Sequence, residues 1–243
     1  MGGVASYLCI VIGAGQAGLA TAQQLAHHGL VPGEDFLLID ANPGPGGAWR
    51  HRWDSLTLGK AHSIANLPGM KTPKGDDSTP ASQVVAEYYG AYEDQFHLRP
   101  YRPARVRRVT QDGDFHVMLD SGEVLVARTI VNATGTWDRP YIPLYPGNFL
   151  IWRPAAAHEG LFPAGTHITV DVIFWNTGFR PVLDHLAPLR LRSRHGGIAL
   201  RNEVAPLANP RVFLAGYGST ASTVGTTRAG RLAAREVIAA LDL

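Results

Sequence analysis

The chain holds one cysteine in 243 residues, Cys9. One thiol makes no internal disulfide and no Cys-x-x-Cys pair, so dithiol redox chemistry is excluded and a cytoplasmic setting is expected. Charge is also sparse. Charged residues make up 17%, and 22 basic against 20 acidic side chains leave a formal net charge of +2. That near-balance offers no electrostatic basis for binding nucleic acid or an anionic membrane. No run of roughly 18 apolar residues occurs, so no membrane span is expected. Residues 1–8 lack the basic region of a secretory signal. The ten histidines show no metal-ligand spacing; His27 and His28 fall at the end of a helical pattern. Asp184-His185 has no serine or cysteine motif beside it, which removes the case for a hydrolytic triad. What remains is a globular composition, 45% apolar.

Residues 7–12 (YLCIVI) read as a buried parallel strand and residues 16–28 as an alanine-rich helix stopped by Gly29. Residues 35–40 (DFLLID) read as a second buried strand, completing a right-handed βαβ unit. Residues 41–47 (ANPGPGG) form a turn cluster, and residues 49–69 read as short irregular pieces. Thr79-Pro80 opens a helix reaching about Phe96. Three alternating segments within residues 105–128, divided by Asp112-Gly113 and Ser121-Gly122, predict an antiparallel meander. Residues 129–134 (TIVNAT), 170–175 and 211–215 (RVFLA) read as further buried strands, and residues 220–243 as a closing amphipathic helix. The expected fold class is α/β: a Rossmann-like domain whose parallel sheet is flanked by helices, with a three-stranded antiparallel meander.

The segment 13–18, Gly-Ala-Gly-Gln-Ala-Gly, is a G-x-G-x-x-G turn that follows a strand and opens a helix, and Asp40 ends the next strand. Each position has a physical task. Gly13 makes the tight turn, Gly15 lets a pyrophosphate reach the backbone, and Gly18 lets helix and strand pack closely. With Gln16 and Ala17, these residues present the positive end of the helix to the phosphates. Asp40 is placed to accept hydrogen bonds from ribose hydroxyls. The turn by itself does not distinguish FAD from NAD.

Five stretches extend the pattern in order: GAGQAGLA, PGPGGAWRHRW, NATGTWDRP, WNTGFRP and GSTASTVGTTRAGR. Over residues 5–147 and 170–240 the chain resembles the FAD module of flavin-containing and Baeyer–Villiger monooxygenases, and in particular bacterial oxidoreductases of the flavin-containing monooxygenase type. The resemblance implies FAD as cofactor. It implies adenosine contacts at Asp40, Ala41 and the backbone of Val106. It places the isoalloxazine between Gly47, Ala48 and Trp49, the stretch Ala133, Thr134 and Gly135, and the helix start at Gly216, Thr223 and Val224. There helix N–H groups would face the flavin pyrimidine, where negative charge develops on reduction. Lys60 and His62 lie where the family places residues near the flavin, and both also read as ordinary surface side chains. Trp49 and Trp53 read equally as redox participants and as ordinary core or lid aromatics.

The chain departs from the family at one point. Full-length relatives insert a second nucleotide-binding domain after the Ala-Thr-Gly stretch. Here the interval 137–175 has no second G-x-G-x-x-G, and Phe149-Leu150-Ile151-Trp152 does not fit the family's F-x-G-x-x-x-H fingerprint. A nucleotide domain needs about 100 residues or more. The expected organisation is a first FAD-binding part at 1–147, a short linker at 148–169 in place of the NADPH domain, and a second FAD-binding part at 170–243. The leading functional reading is an FAD-dependent oxidoreductase, monooxygenase-like in sequence and oxidase-like with dioxygen, reduced by free NAD(P)H or a reductase partner. A non-catalytic flavin-binding or interaction protein and a simple NAD-dependent dehydrogenase stay open as alternatives. Phe149, Ile151, Trp152, Leu161 and Phe162 would line the face left by the missing domain, and a homodimer through that face is the expected assembly.

Overall fold

The structure is a computed structural model that describes residues 5–61, 64–74, 77–141, 158–161, 167–170 and 176–243, with backbone alone for 158–161 and 167–170. Two compact units emerge, one formed by Met1–Gly135 with Pro181–Leu243 and the other by Thr136–Arg180.

The first unit is built on β1 (Ser6–Ile12), α1 (Gln16–His27) and β2 (Phe36–Ile39). β1 is paired in parallel on both sides, to β2 and to β5 (Val124–Asn132). A strand with neighbours on both edges and cover on both faces must be apolar throughout, and the end of β1 is buried without a break. Its side chains alternate between two cores: Cys9 and Val11 face the helices, while Ile10 and Ile12 face the opposite layer. α1 ends where expected. Gly29 takes a positive φ of 96°, which lets Leu30 N–H close back on Leu25 O at 3.2 Å. The helix of residues 79–96 is α2 (Ala81–Gln95), whose Val85, Tyr88, Tyr89 and Tyr92 join the first core. The closing helix is α3 (Thr223–Leu241), entered through a 3₁₀ turn at Gly218–Thr220.

The meander differs from expectation in one respect. β3 (Val106–Asp112) and β4 (Asp114–Leu119) form the predicted hairpin, but the third meander strand and the buried strand after it are one continuous strand, β5. Its first half pairs antiparallel with β4 through Val124 to Ala127, and its second half pairs in parallel with β8 (Val212–Leu214) through Ile130 to Asn132. One edge of β5 therefore changes partner near Arg128. Arg211 plugs that gap: Nη1 donates to Asp114 Oδ1 at 3.2 Å and to Arg128 O at 3.4 Å, Nη2 donates to Gly113 O, and the guanidinium lies over Phe115. The resulting six-stranded sheet runs β2-β1-β5-β4-β3, with β8 beside β5. α1 and α3 cover one face. The other face is closed by a 3₁₀ turn, Asp184–Leu189, and by buried residues such as Leu191 and Ile198.

In the second unit, residues 139–141 run antiparallel to residues 178–180, with Trp137 stacked on Phe179 and Arg180 over Tyr141. β6 (His158–Leu161) and β7 (His167–Val170) form a two-stranded hairpin. The strand expected at 170–175 and the apolar face of Phe149, Ile151, Trp152 and Phe162 lie outside the described residues, and for Leu161 the backbone alone is described.

Candidate functional site

Four segments meet at the carboxyl ends of β1 and β5. The turn after β1 is held by Gly13 N–H, which donates to Ile39 O at 2.7 Å. Gly13 has φ +105°, and a Cβ there would stand 2.5 Å from Ala133 O. A Cβ on Gly18 would stand 1.7 Å from Gly13 O. Both glycines are therefore fixed by close packing of turn, helix and β5. Gly15 differs: no heavy atom lies within 4 Å of the position its Cβ would occupy, and as N-cap of α1 it supplies no side-chain cap. The turn thus presents an open face and uncapped helix amides, which fits the pyrophosphate of a dinucleotide.

Asp40 closes β2 and is 5% exposed. Its carboxylate accepts Ala14 N–H at Oδ2 and Asn42 N–H at Oδ1, each at 2.6 Å. The acid assigned from sequence to a ribose also ties the β1 turn to the loop after β2. Two such bonds leave acceptor capacity for hydroxyl donors, so the residue fits a ribose as well. Asn42 Oδ1 lies 2.8 Å from His51 Nε2, extending this polar rim. Ala41 is exposed beside it. Val106 opens β3, two residues beyond Ala104, whose N–H donates to Asp40 O at 2.8 Å.

The Gly46-Gly47 segment sits against this turn. Gly47 is buried at φ +52°, and a Cβ there would meet Gly15 Cα at 2.9 Å. The 3₁₀ turn Gly47–His51 leaves Ala48 exposed and packs Trp49 partly into the core, with Arg52 5.6 Å from the Trp49 ring centroid. Burial draws the Arg52 pKa below its ordinary value. Trp53 is 58% exposed, Lys60 is exposed, and His62 lies outside the described residues.

The start of α3 completes the site. Gln16 Nε2 donates to Thr223 O at 2.8 Å, to Thr227 Oγ1 at 3.0 Å and to Ala65 O at 3.2 Å, tying the first residue of α1 to the first turn of α3. Its side chain serves this link. Gly216, at φ +83°, would bring a Cβ within 3.9 Å of Ala17. Val224, in the first turn of α3, is 70% exposed although apolar. Ser222 caps the helix, its Oγ accepting Gly225 N–H at 3.1 Å. Ala133 is buried behind Gly13 and Gly18, Thr134 donates to Val182 O at 2.7 Å, and Gly135 follows at φ +66°.

Three polar side chains here have no role assigned to them from sequence. Asn42 precedes the PGPGGAWRHRW stretch, and His51 lies within it. His185, set among leucines in VLDHLAPL, is buried and reaches Asn132 Oδ1 at 2.7 Å; a histidine in an apolar run was the one available signal. Burial pushes its pKa down to about 4, against a smaller upward pull from Asp184.

Comparison with known proteins agrees with this geometry. The pyridine nucleotide-disulphide oxidoreductase family matches residues 10–160. An uncharacterized CzcO-like oxidoreductase of Geobacillus kaustophilus is 30% identical over 55% of this chain and 37% of its own length. The indole-3-pyruvate monooxygenase YUCCA1 of Oryza sativa is 34% identical over 86% of this chain and 51% of its own length. The chain thus spans about half or less of the curated relatives it matches. A flavin-containing monooxygenase from Stenotrophomonas maltophilia superposes with a TM-score of 0.81 at 27% identity, covering 97% of this chain and 99% of that one. The chain belongs to the pyridine nucleotide-disulphide oxidoreductase family and is similar to flavin-containing monooxygenases.

Proposed function

We propose that this chain binds FAD and acts as a flavoprotein oxidoreductase. The observation that carries the reading is the convergence on one turn of Asp40, Gly47, Ala133 and Gln16, the last bonded to the start of α3. FAD would lie extended across the sheet ends. Residues 13–18 would hold the pyrophosphate, Asp40 and Ala41 the ribose, and the Val106 backbone the adenine. Gly47, Ala48, Trp49, Ala133, Thr134, Gly135, Gly216, Thr223 and Val224 would surround the isoalloxazine. A bound ligand would also cover the exposed Val224.

A bound flavin supplies two-electron transfer between a reduced nicotinamide and dioxygen. The protein's part is to orient it: helix amides face its phosphates, and the amides of the first turn of α3 favour negative charge nearby. Dithiol chemistry has no place here. Cys9 is the sole cysteine and is buried, and burial pushes its thiol up to about 12. Thr136–Arg180 carries no second G-x-G-x-x-G and is short for a nucleotide domain of about 100 residues. On that basis electrons would come from free reduced nicotinamide nucleotide or a reductase partner, and dioxygen would accept them in an oxidase-like reaction.

The test is the absorbance spectrum of purified protein before and after adding FAD, followed by anaerobic mixing with NADPH. Flavin bands and thermal stabilisation are expected; a colourless protein that FAD neither colours nor stabilises refutes the reading. Flavin reduction followed by oxygen consumption marks an enzyme, and no reduction marks a binding protein.

A further inference from the structure

Behind the cofactor turn, on the face of the sheet away from α1 and α3, runs a chain of polar side chains with a single direction. Thr134 Oγ1 lies 2.7 Å from Val182 O. A carbonyl only accepts, so Thr134 spends its proton there and must accept its next bond. That bond comes from Asn132 Nδ2 at 3.1 Å; Asn132 Oδ1 also lies 3.3 Å from Thr134 Oγ1, but the one hydroxyl proton is already given to the shorter bond. Asn132 Oδ1 is thereby turned to His185 Nε2 at 2.7 Å, and His185 must carry a proton on Nε2 to donate it. Asn132 and His185 are 5% and 6% exposed, so the bond between them is made in a desolvated setting, while Thr134 is half-buried.

This chain is coupled to the turn through backbone. Ala133 N–H donates to Ile12 O at 2.8 Å, and Ala215 N–H donates to Asn132 O at 2.9 Å. The Ala133 carbonyl lies directly under Gly13, and the Ala133 side chain lies 3.5 Å from where a Gly18 Cβ would stand. Val182 N–H donates to Gly135 O at 3.0 Å, so the chain leaving the first unit at Gly135 and the chain returning at Pro181 are clasped at this place. The end of β5 is the floor of the dinucleotide turn, and its side-chain anchor on this face is the bond from His185.

We propose that His185 is a positioning residue for the cofactor site: acting through Asn132, its Nε2–H fixes the orientation of Asn132 and Thr134 and so holds residues 133–135 beneath the dinucleotide turn. The inference rests on the flavin-binding reading for its consequence, but not for its geometry.

A glutamine side chain can place an N–H near the Nε2 position of histidine, whereas asparagine is too short. The test compares His185→Gln, His185→Asn and Asn132→Asp, the last of which keeps the acceptor toward His185 and removes the donor toward Thr134. In the apoprotein, amide hydrogen exchange at Ala133, Thr134 and Gly135 is expected at the wild-type rate in His185→Gln. It is expected to be faster by about tenfold in His185→Asn and Asn132→Asp, the factor that loss of one ordinary hydrogen bond gives. The FAD dissociation constant should follow the same order. Equal exchange in the two His185 variants, at whichever rate, overturns the proposal, as does a wild-type rate in Asn132→Asp. Should His185→Asn not fold, Asn132→Asp against wild type carries the comparison. A wild-type protein that takes up no FAD defeats the proposed function, while the exchange result in apoprotein still decides this one.

Discussion

Asp40→Asn is the sharpest probe of how the site is built, because it changes one atom and no volume. Each carboxylate oxygen of Asp40 accepts one backbone N–H, from Ala14 and from Asn42, both at 2.6 Å. An asparagine has a single acceptor oxygen, so whichever way its amide turns, an NH₂ group faces an N–H donor. One charge-assisted bond is lost, one buried donor is left without a partner, and the remaining bond loses its charge. Hydrogen bonds to charged groups contribute about 1.5–3 kcal/mol, and an unsatisfied buried donor costs about 1–3 kcal/mol, so a loss of roughly 3 kcal/mol is expected. In a domain of this size each kcal/mol moves Tm by about 2–4 °C, giving a drop of roughly 6–12 °C. The measurement is thermal and urea denaturation of the apoprotein, with FAD titrated afterwards. If Asp40 served the ligand alone, apoprotein stability would be untouched and only the FAD titration would change. An apoprotein Tm within about 1 °C of wild type would refute the view that Asp40 ties the turn to the loop after β2.

Three further outcomes follow from the same structure. Gly230→Ala in α3 sets a Cβ 2.8 Å from Ala17 O and Ala20 Cβ. Overpacking of about 1–3 kcal/mol exceeds the helix-propensity gain of about 1 kcal/mol, so urea denaturation should show a net loss; a more stable protein would refute close contact of α1 and α3. His185 gives a pH signature. Its folded pKa is pushed down to about 4 from an ordinary value of 6.5, so between those values the unfolded chain binds more protons and stability falls as pH drops. The full loss is about 3 kcal/mol, mostly present at about pH 4.5, and equal pH slopes for wild type and His185→Gln in urea titrations would refute it. Val224→Glu puts an anion in the first turn of α3, which should raise apoprotein stability by about 0.3–1 kcal/mol while weakening FAD binding. Unchanged FAD affinity would remove the flavin from that helix end.

What could be read from sequence divides along a physical line. The turn at residues 13–18 was legible because its steric demands are local: Gly18 must clear Gly13, five residues away, and no other side chain allows it. Helix ends were legible for the same reason, Gly29 stopping α1 through bonds to its own last turn. β5 was not legible as one strand because its burial pattern changes midway. It alternates from Val124 to Arg128 while one face is solvated, then is buried continuously from Thr129 to Asn132 once helices and the opposite layer cover it. A change of surroundings along one strand reads as two strands. The change falls where β4 ends its pairing and β8 begins, a gap filled by Arg211, distant in sequence.

The same division applies to the site. A sequence motif names residues by what they offer a ligand, so Asp40 reads as a ribose acceptor and Gln16 as a phosphate neighbour. In the fold, Asp40 accepts from Ala14 and Asn42, and the Gln16 amide joins α1 to the first turn of α3. His185 offers a ligand nothing and carries no motif, yet it anchors Asn132 at the end of β5 from 53 residues away. Ligand contact and scaffold contact are separate demands on one set of side chains. A local pattern records the first, while the second depends on which distant segment the topology returns to the sheet. Asp40 answers to both, so its substitution should damage the turn before any ligand is present.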